Sequence, residues 1–345
     1  MSLPIGQIAP WFIAPTPSNP EFVFDSAAGR FVLMLFLPTE PEAQSAAMRA
    51  LAAHQHLYDD VKVSAFVVLR DPGQLQGVRD MRGLRWLYDA PGRISDRYGP
   101  EPHWLLLDPT LRVLASEPIE AAEAMFRRVA ALPAPGDHAG VPLHAPVLIA
   151  PRIFEPELCQ ALIERHQADG GAFTGVMRDQ GDRTVAVMDE LKKRRDIWID
   201  DPELQQAIRE RLERRLFPLM QMAFEFRATH IERYLVSCYD AADNAVFRPH
   251  RDNTTQGTAH RRFACSLNLN VDYVGGDLRF AEFGSATYRP PPGGAAVFSC
   301  TLMHEALPVT EGRRYAFLPF FYDDAGAEVL AAYTARTRQS QDVSA

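Results

Sequence analysis

Phe247-Arg248-Pro249-His250-Arg251-Asp252-Asn253, followed 52 residues beyond Asp252 by His304-Glu305-Ala306-Leu307-Pro308-Val309-Thr310-Glu311-Gly312-Arg313-Arg314-Tyr315, decides how this chain reads. On an extended strand end, the period of two points His250 and Asp252 the same way. Two imidazoles and one carboxylate on one face of an ion suit Fe(II), because three coordination positions stay open for a bidentate 2-oxo acid and O2. Arg314, ten residues beyond His304, offers a planar fork for the far carboxylate of that acid. The H-x-D alone is weak. With ten histidines in 345 residues, one such pair is expected by chance roughly once. The same three ligands also suit a zinc hydrolase, but that chemistry gives Arg314 no task. A third reading is a non-catalytic metal-binding interaction protein.

Outward from this core, residues 263–270 alternate. Ala264, Ser266, Asn268 and Asn270 lie on one face, and Phe263, Cys265, Leu267 and Leu269 on the other. A polar strand face turned into a protein needs partners, and a bound dicarboxylate supplies them. Short strands are predicted at Phe263–Asn270, Leu278–Phe280, Ala295–Cys300 and Tyr315–Tyr322. Before them, Pro156 and Pro202 open helices, the second behind Asp200-Asp201 with Leu204, Ile208, Leu212 and Leu216 at four-residue spacing. The Gly- and charge-rich stretch 168–190 reads as a mobile loop and a candidate lid.

This order of elements, together with Tyr239-Asp240, Leu267-Asn268-Leu269-Asn270, Gly275-Gly276-Asp277-Leu278, Pro292-Gly293-Gly294 and the two motifs above, resembles the 2-oxoglutarate/Fe(II) dioxygenases of the prolyl-4-hydroxylase-like branch over roughly residues 146–325. The resemblance implies a double-stranded β-helix (jelly roll) with supporting helices over 146–345. It implies iron on His250, Asp252 and His304, and 2-oxoglutarate on Arg314, Tyr239 and Asn268, with O2 consumed and ascorbate a further candidate cofactor. It also implies hydroxylation of an unactivated C–H bond in a protein, peptide or small-molecule substrate, a peptidyl prolyl residue being the narrowest version. Arg251, Arg194 and Arg195 are candidate substrate contacts. The basic run 191–195 otherwise reads as a solvated face, and Gly275-Gly276 as a turn.

Pro- and Gly-rich residues 132–145 read as a linker. Ahead of it, strands at Phe31–Leu37, Val61–Leu69, His103–Leu107 and Arg112–Ser116 and helices at Pro41 to about Leu57 and Ala121–Leu132 predict a mixed α/β sheet. Gly6-Gln7-Ile8-Ala9-Pro10-Trp11-Phe12 and Pro38-Thr39 resemble the peroxiredoxin/thioredoxin fold, so 1–135 is expected to be thioredoxin-like. Where that family carries its reactive cysteine, three residues after the Thr, this chain has Glu42, and the half contains no cysteine. Peroxidase chemistry needs a thiolate. The half is therefore expected to be a non-catalytic binding or structural module, with a protein partner a candidate ligand for it.

Composition sets outer limits. A net charge of −8 argues against nucleic-acid or anionic-membrane partners. No leader pattern or membrane-length apolar run is visible. Four scattered cysteines without a C-x-x-C pair suggest a reducing, cytoplasmic setting.

Overall fold

A computed structural model describes residues 3–71 and 78–342, and the chain divides into two compact units. The first holds residues up to 145 together with Ala281–Ser285. The second holds 146–280 and the residues from 286 onward. The five-residue return to the first unit has no counterpart in the sequence reading, which draws one boundary at the linker.

In the first unit a five-stranded sheet runs in the order Leu84–Tyr88, Val63–Leu69, Phe31–Phe36, His103–Leu107, Val113–Pro118. The first three strands are parallel and the last two antiparallel. Phe31–Phe36 is buried throughout, as a continuous apolar run at the middle of a covered sheet should be. Helices Pro41–Ala53 and Ala122–Ala130 pack Leu51, Met125 and Phe126 against Leu33, Leu35 and Trp104 on one face. Glu40 caps the first helix, accepting from the Glu42 and Ala43 amides at 3.1 and 2.7 Å. That helix ends earlier than predicted, with a separate turn at Gln55–Leu57. His54 Nδ1 meets the Ala50 carbonyl at 2.9 Å and its ring stacks on Phe126, which satisfies the last turn with a side chain. Glu42 lies exposed in the first turn.

The second unit is built on two antiparallel sheets, one of ten strands and one of five. In the larger, Val309–Phe317 lies between Leu235–Asp240 and Phe263–Asn268. Alternation decides its two faces. Val236, Cys265, Leu267 and Phe317 join helices Pro156–Asp169, Pro202–Arg211 and Phe217–Phe224 in one core. Ser237, Tyr239, Ser266, Asn268 and Arg314 point the other way, toward the smaller sheet, where Tyr239 meets Phe247 and Ala306. In the smaller sheet Val246–His250 pairs with His304–Ala306, and a bulge between Phe247 and His250 sets His250 directly opposite His304.

Two elements depart from the sequence reading. The stretch 168–190 is not an irregular loop. It ends one helix and then forms a hairpin, Val176–Gln180 against Arg183–Val187, turning at Gly181 with φ +62°. The alternating Val185 and Val187 are the strand signal that its Gly and charge content masks. Asp324–Asp342 forms a helix that was not predicted. No helix among the described residues is long and apolar enough to cross a membrane.

The helix Pro202–Arg211 is capped by Asp201, whose carboxylate accepts from the Glu203 and Leu204 amides at 3.0 and 3.3 Å. Replacing Asp201 by Ala should lower stability by about 1 kcal/mol. Leu216→Ala, at a fully buried position, should cost about 2–5 kcal/mol. Urea unfolding of the two variants checks the order; equal losses would mean that Leu216 does not anchor the core.

Candidate metal centre

His250, Asp252 and His304 come together, each offering one ligand atom within 4.8 Å of the others. Asp252 lies 3.5 Å from His250 Nε2 through one oxygen and 3.3 Å from His304 Nε2 through the other. Backbone carbonyls fix both rings from behind. His250 Nδ1 meets the Arg248 carbonyl at 2.7 Å, and His304 Nδ1 meets that of Leu302 at 3.0 Å. A carbonyl accepts only from Nδ1–H, so a ring held this way, in its neutral form, turns an unprotonated Nε2 toward the aspartate. This is the tautomer and aim that a metal-binding imidazole requires. Asp252 is set by its own amide, which donates to the Cys300 carbonyl at 3.1 Å.

Burial pulls the His304 pKa down to about 4, helped by the charge of His250, so the ring is neutral at ordinary pH. Burial alone would raise the Asp252 pKa. His304, His250 and Arg261 overcome it and hold the carboxyl below the usual range.

Arg314 is 2% exposed. Its Nε and one terminal nitrogen donate to Asn268 Oδ1 at 3.1 and 3.0 Å, and the latter also to Ser266 Oγ at 2.6 Å. The inward face of the alternating strand thus finds its partner in a guanidinium. Asn268 is oriented by donating to Tyr273 Oη at 2.8 Å and to the Pro290 carbonyl at 3.0 Å. Gly276, at φ +71°, gives Arg314 room, since a Cβ there would come within 3.1 Å of its Cδ. Among the described residues no carboxylate pairs with Arg314. Its neighbour Arg313 points outward and pairs with Asp240 at 2.6 Å. A buried cation with only neutral partners is costly unless a ligand supplies the anion.

Tyr239 stands between Arg314 and Arg194. Its ring centroid is 5.2 Å from the first guanidinium and 5.7 Å from the second, and its hydroxyl accepts from Arg194 at 2.9 Å. The basic run 191–195 is therefore not a solvated face. Its β-like alternation buries Lys192 and Arg194 and turns Lys193 and Arg195 outward. Arg195 pairs with Asp243 at 2.9 Å and lies over Phe173, and no described contact joins it to the metal ligands. Arg251 donates to the Thr301 carbonyl and acts on His304 by its charge.

No family model matches the chain. A PKHD-type hydroxylase of Synechococcus sp. (strain JA-2-3B'a(2-13)) is 31% identical over 121 residues, which cover 33% of this chain and 51% of that one. The chain resembles PKHD-type hydroxylases. A second, from Synechococcus sp. (strain JA-3-3Ab), matches with the same figures, so the chain spans about half the length of these PKHD-type relatives. Among solved structures, a Pseudomonas putida prolyl-4-hydroxylase aligns with 52% of this chain and 92% of its own at TM-score 0.38 and 19% identity. A Bacteroides thetaiotaomicron protein, a candidate disulfide isomerase, aligns with 38% of this chain and 92% of its own at TM-score 0.32 and 16% identity.

Residues that the sequence reading passed over complete the surroundings. Asp196 receives Lys192, Arg194, Ser237 and Thr174, at 3.2 Å from Lys192 Nζ, 3.0 Å from Arg194 Nε and 2.6 Å from Ser237 Oγ. Glu232 receives His260 and a two-pronged Arg261 at 2.8, 2.8 and 2.6 Å. The available signals were the Arg-Asp step after the basic run and the His-Arg-Arg run at 260–262. Burial would raise both carboxyls, but these cations hold each near pKa 2. Unfolded carboxyls titrate near 4. The stabilisation is therefore complete above about pH 5 and is lost as pH falls through 2. Asp196→Asn should cost about 3–5 kcal/mol at neutral pH by stranding two buried cations. It should also flatten the fall in stability between about pH 4 and 2. Denaturant titrations of both proteins across that range check this; an unchanged slope would remove Asp196 from the account.

Proposed function

We propose that the chain is a 2-oxoglutarate-dependent Fe(II) dioxygenase that hydroxylates an unactivated C–H bond. The observation that carries this reading is the coincidence of two incomplete sites in one unit. One is an imidazole–carboxylate–imidazole trio with both Nε2 atoms aimed inward. The other is a buried guanidinium without a carboxylate partner among the described residues, joined to the first by the shared Tyr239–Phe247 cluster. A zinc hydrolase has no use for the second site. A metal-binding protein without turnover has no use for an anion receptor buried this deeply.

The donor set suits the ion. Two neutral nitrogens and one carboxylate oxygen neutralise one unit of a divalent charge and leave positions open. Bound ferrous iron with 2-oxoglutarate and O2 would supply oxidative decarboxylation of the keto acid coupled to oxygen insertion into C–H. The chain's own residues do the positioning. The carbonyls of Arg248 and Leu302 hold the imidazole tautomers. Arg314 receives the distal carboxylate and Asn268 fixes the guanidinium plane. Tyr239 presents its ring to that guanidinium.

The resemblance to PKHD-type hydroxylases supports this reading, as do this chain's own motifs around His250 and His304. We place a double-stranded β-helix in the second unit and a non-catalytic, partner-docking thioredoxin-like module in the first. A peptidyl prolyl residue is the narrower substrate class.

Anaerobic addition of Fe(II) and 2-oxoglutarate to the purified chain should produce a weak visible charge-transfer band. His304→Ala should abolish it while leaving the thermal unfolding profile cooperative. A wild-type chain without the band, or a His304→Ala chain that keeps it, would refute the site.

A further inference from the structure

The cations around the metal trio outnumber the carboxylates that serve them. Lys192 and Arg194 share Asp196. Arg233 and Arg261 share Glu232, which His260 also occupies. Three guanidiniums and an ammonium thus face two carboxylates, in a chain whose overall charge is −8. Asp252 belongs to the metal trio and cannot serve them as well.

Arg233 is the residue left over. Glu232 already accepts three hydrogen bonds from His260 and Arg261. Arg233 reaches it only as an ion contact of 3.4 Å. Among the described residues Arg233 donates no hydrogen bond, yet its side chain is only 18% exposed. It rests on the Phe320 ring, 4.8 Å from the centroid, and Arg261 lies on the same ring at 4.0 Å. Burial and then the charge of Arg261 lower its pKa to about 10. Asp252 and Arg194 lie within range of its charge, and the Lys192 pKa falls to about 7 through burial, Arg194 and, more weakly, Arg233.

The backbone adds a second, independent sign. Arg233 has φ +70°, the left-handed region, immediately after strand His230–Glu232. A β-carbon there is strained, and glycine would remove that strain. The chain keeps a large cation where its backbone favours glycine and its charges favour a neutral group.

One flank of this array reaches a metal ligand through Phe247, and the other touches one directly. Arg194 lies over the Phe247 ring, 5.5 Å from its centroid, and that ring stacks on His250 at 3.5 Å. Arg261 donates to the Asp252 carbonyl at 3.2 Å. Arg314 lies beyond Tyr239 and serves the keto acid under the proposed function, so the surplus here belongs to another ligand.

We propose that Arg233, backed by Arg194 and Arg261, is an anion receptor beside the metal centre, and that the substrate carries an oxyanion, carboxylate or phosphate-like, near the carbon to be hydroxylated. This deepens the proposed function and rests on it. Arg233 binds that group and orients the C–H bond. Arg261 stays tied to Glu232, and Arg194 to Asp196 and Tyr239, so neither has to move.

The test titrates sulfate, and in a separate arm acetate, into the full chain held under nitrogen with Fe(II) and saturating 2-oxoglutarate. Calorimetry reads anion binding, and the visible band reads the metal site in the same samples. The wild type should bind at least one of the two anions saturably. Preference between them tells a tetrahedral from a planar group. Arg233→Gln and Arg233→Gly should each weaken binding by roughly tenfold or more, and Arg233→Lys should retain part of it. Arg233→Gly should unfold at nearly the wild-type temperature, because relief of the left-handed strain offsets lost packing. Absence of saturable binding in the wild type, wild-type affinity in Arg233→Gln, or failure of Arg233→Gly to fold would each overturn the proposal, the last by making Arg233 structural. Anion binding without the band would instead remove the proposed function and leave the receptor standing.

Discussion

Arg314 carries a full positive charge at the middle of a nine-residue strand, and the residues that meet it are neutral. Its enclosure constrains much of the second unit. Ser266 and Asn268 must face inward, which turns Cys265 and Leu267 to the helices. Gly276 must lack a side chain. Tyr239 must lie opposite on the adjacent strand, as its pairing with Arg314 places it. An uncompensated buried guanidinium is unfavourable alone, so this arrangement is not a source of stability; under the proposed function it is where the distal carboxylate of the keto acid binds.

The metal trio is fixed by a different device. His250 and His304 are a cross-strand pair in the smaller sheet, brought opposite by a bulge between Phe247 and His250. Distance along the chain is immaterial once two strands pair. The imidazoles need only the correct nitrogen turned inward, and backbone carbonyls supply that. The two sheets therefore divide the work, the smaller holding the two imidazoles and the larger holding the cation.

Much of this was legible in the sequence for a physical reason. Period-two alternation at 263–270 specifies which side of the strand is polar, and the strand pairing sets Asn268 and Ser266 against Arg314. His250, Asp252 and His304 were legible from residue type and order. Arg195 was drawn in with Arg194 because a basic run does not show which members point inward; only the pairing of Arg195–Trp198 with Leu235–Asp240 does that. Glu232, His260 and Arg261 went unread because their contacts join residues some thirty positions apart. The positive φ of Arg233 leaves no mark in composition. The hairpin at 176–187 was hidden by glycine and charge, and the C-terminal helix by polar residues that blur its period.

Arg314 as the receptor for a dicarboxylate is tested most directly by calorimetric titration of 2-oxoglutarate into the Fe(II)-loaded chain under nitrogen. The wild type should bind with one-to-one stoichiometry. Arg314→Gln should keep its iron and lose affinity by roughly a hundredfold, as expected when a two-pronged charged contact is removed. Equal affinity in the two proteins would contradict the account.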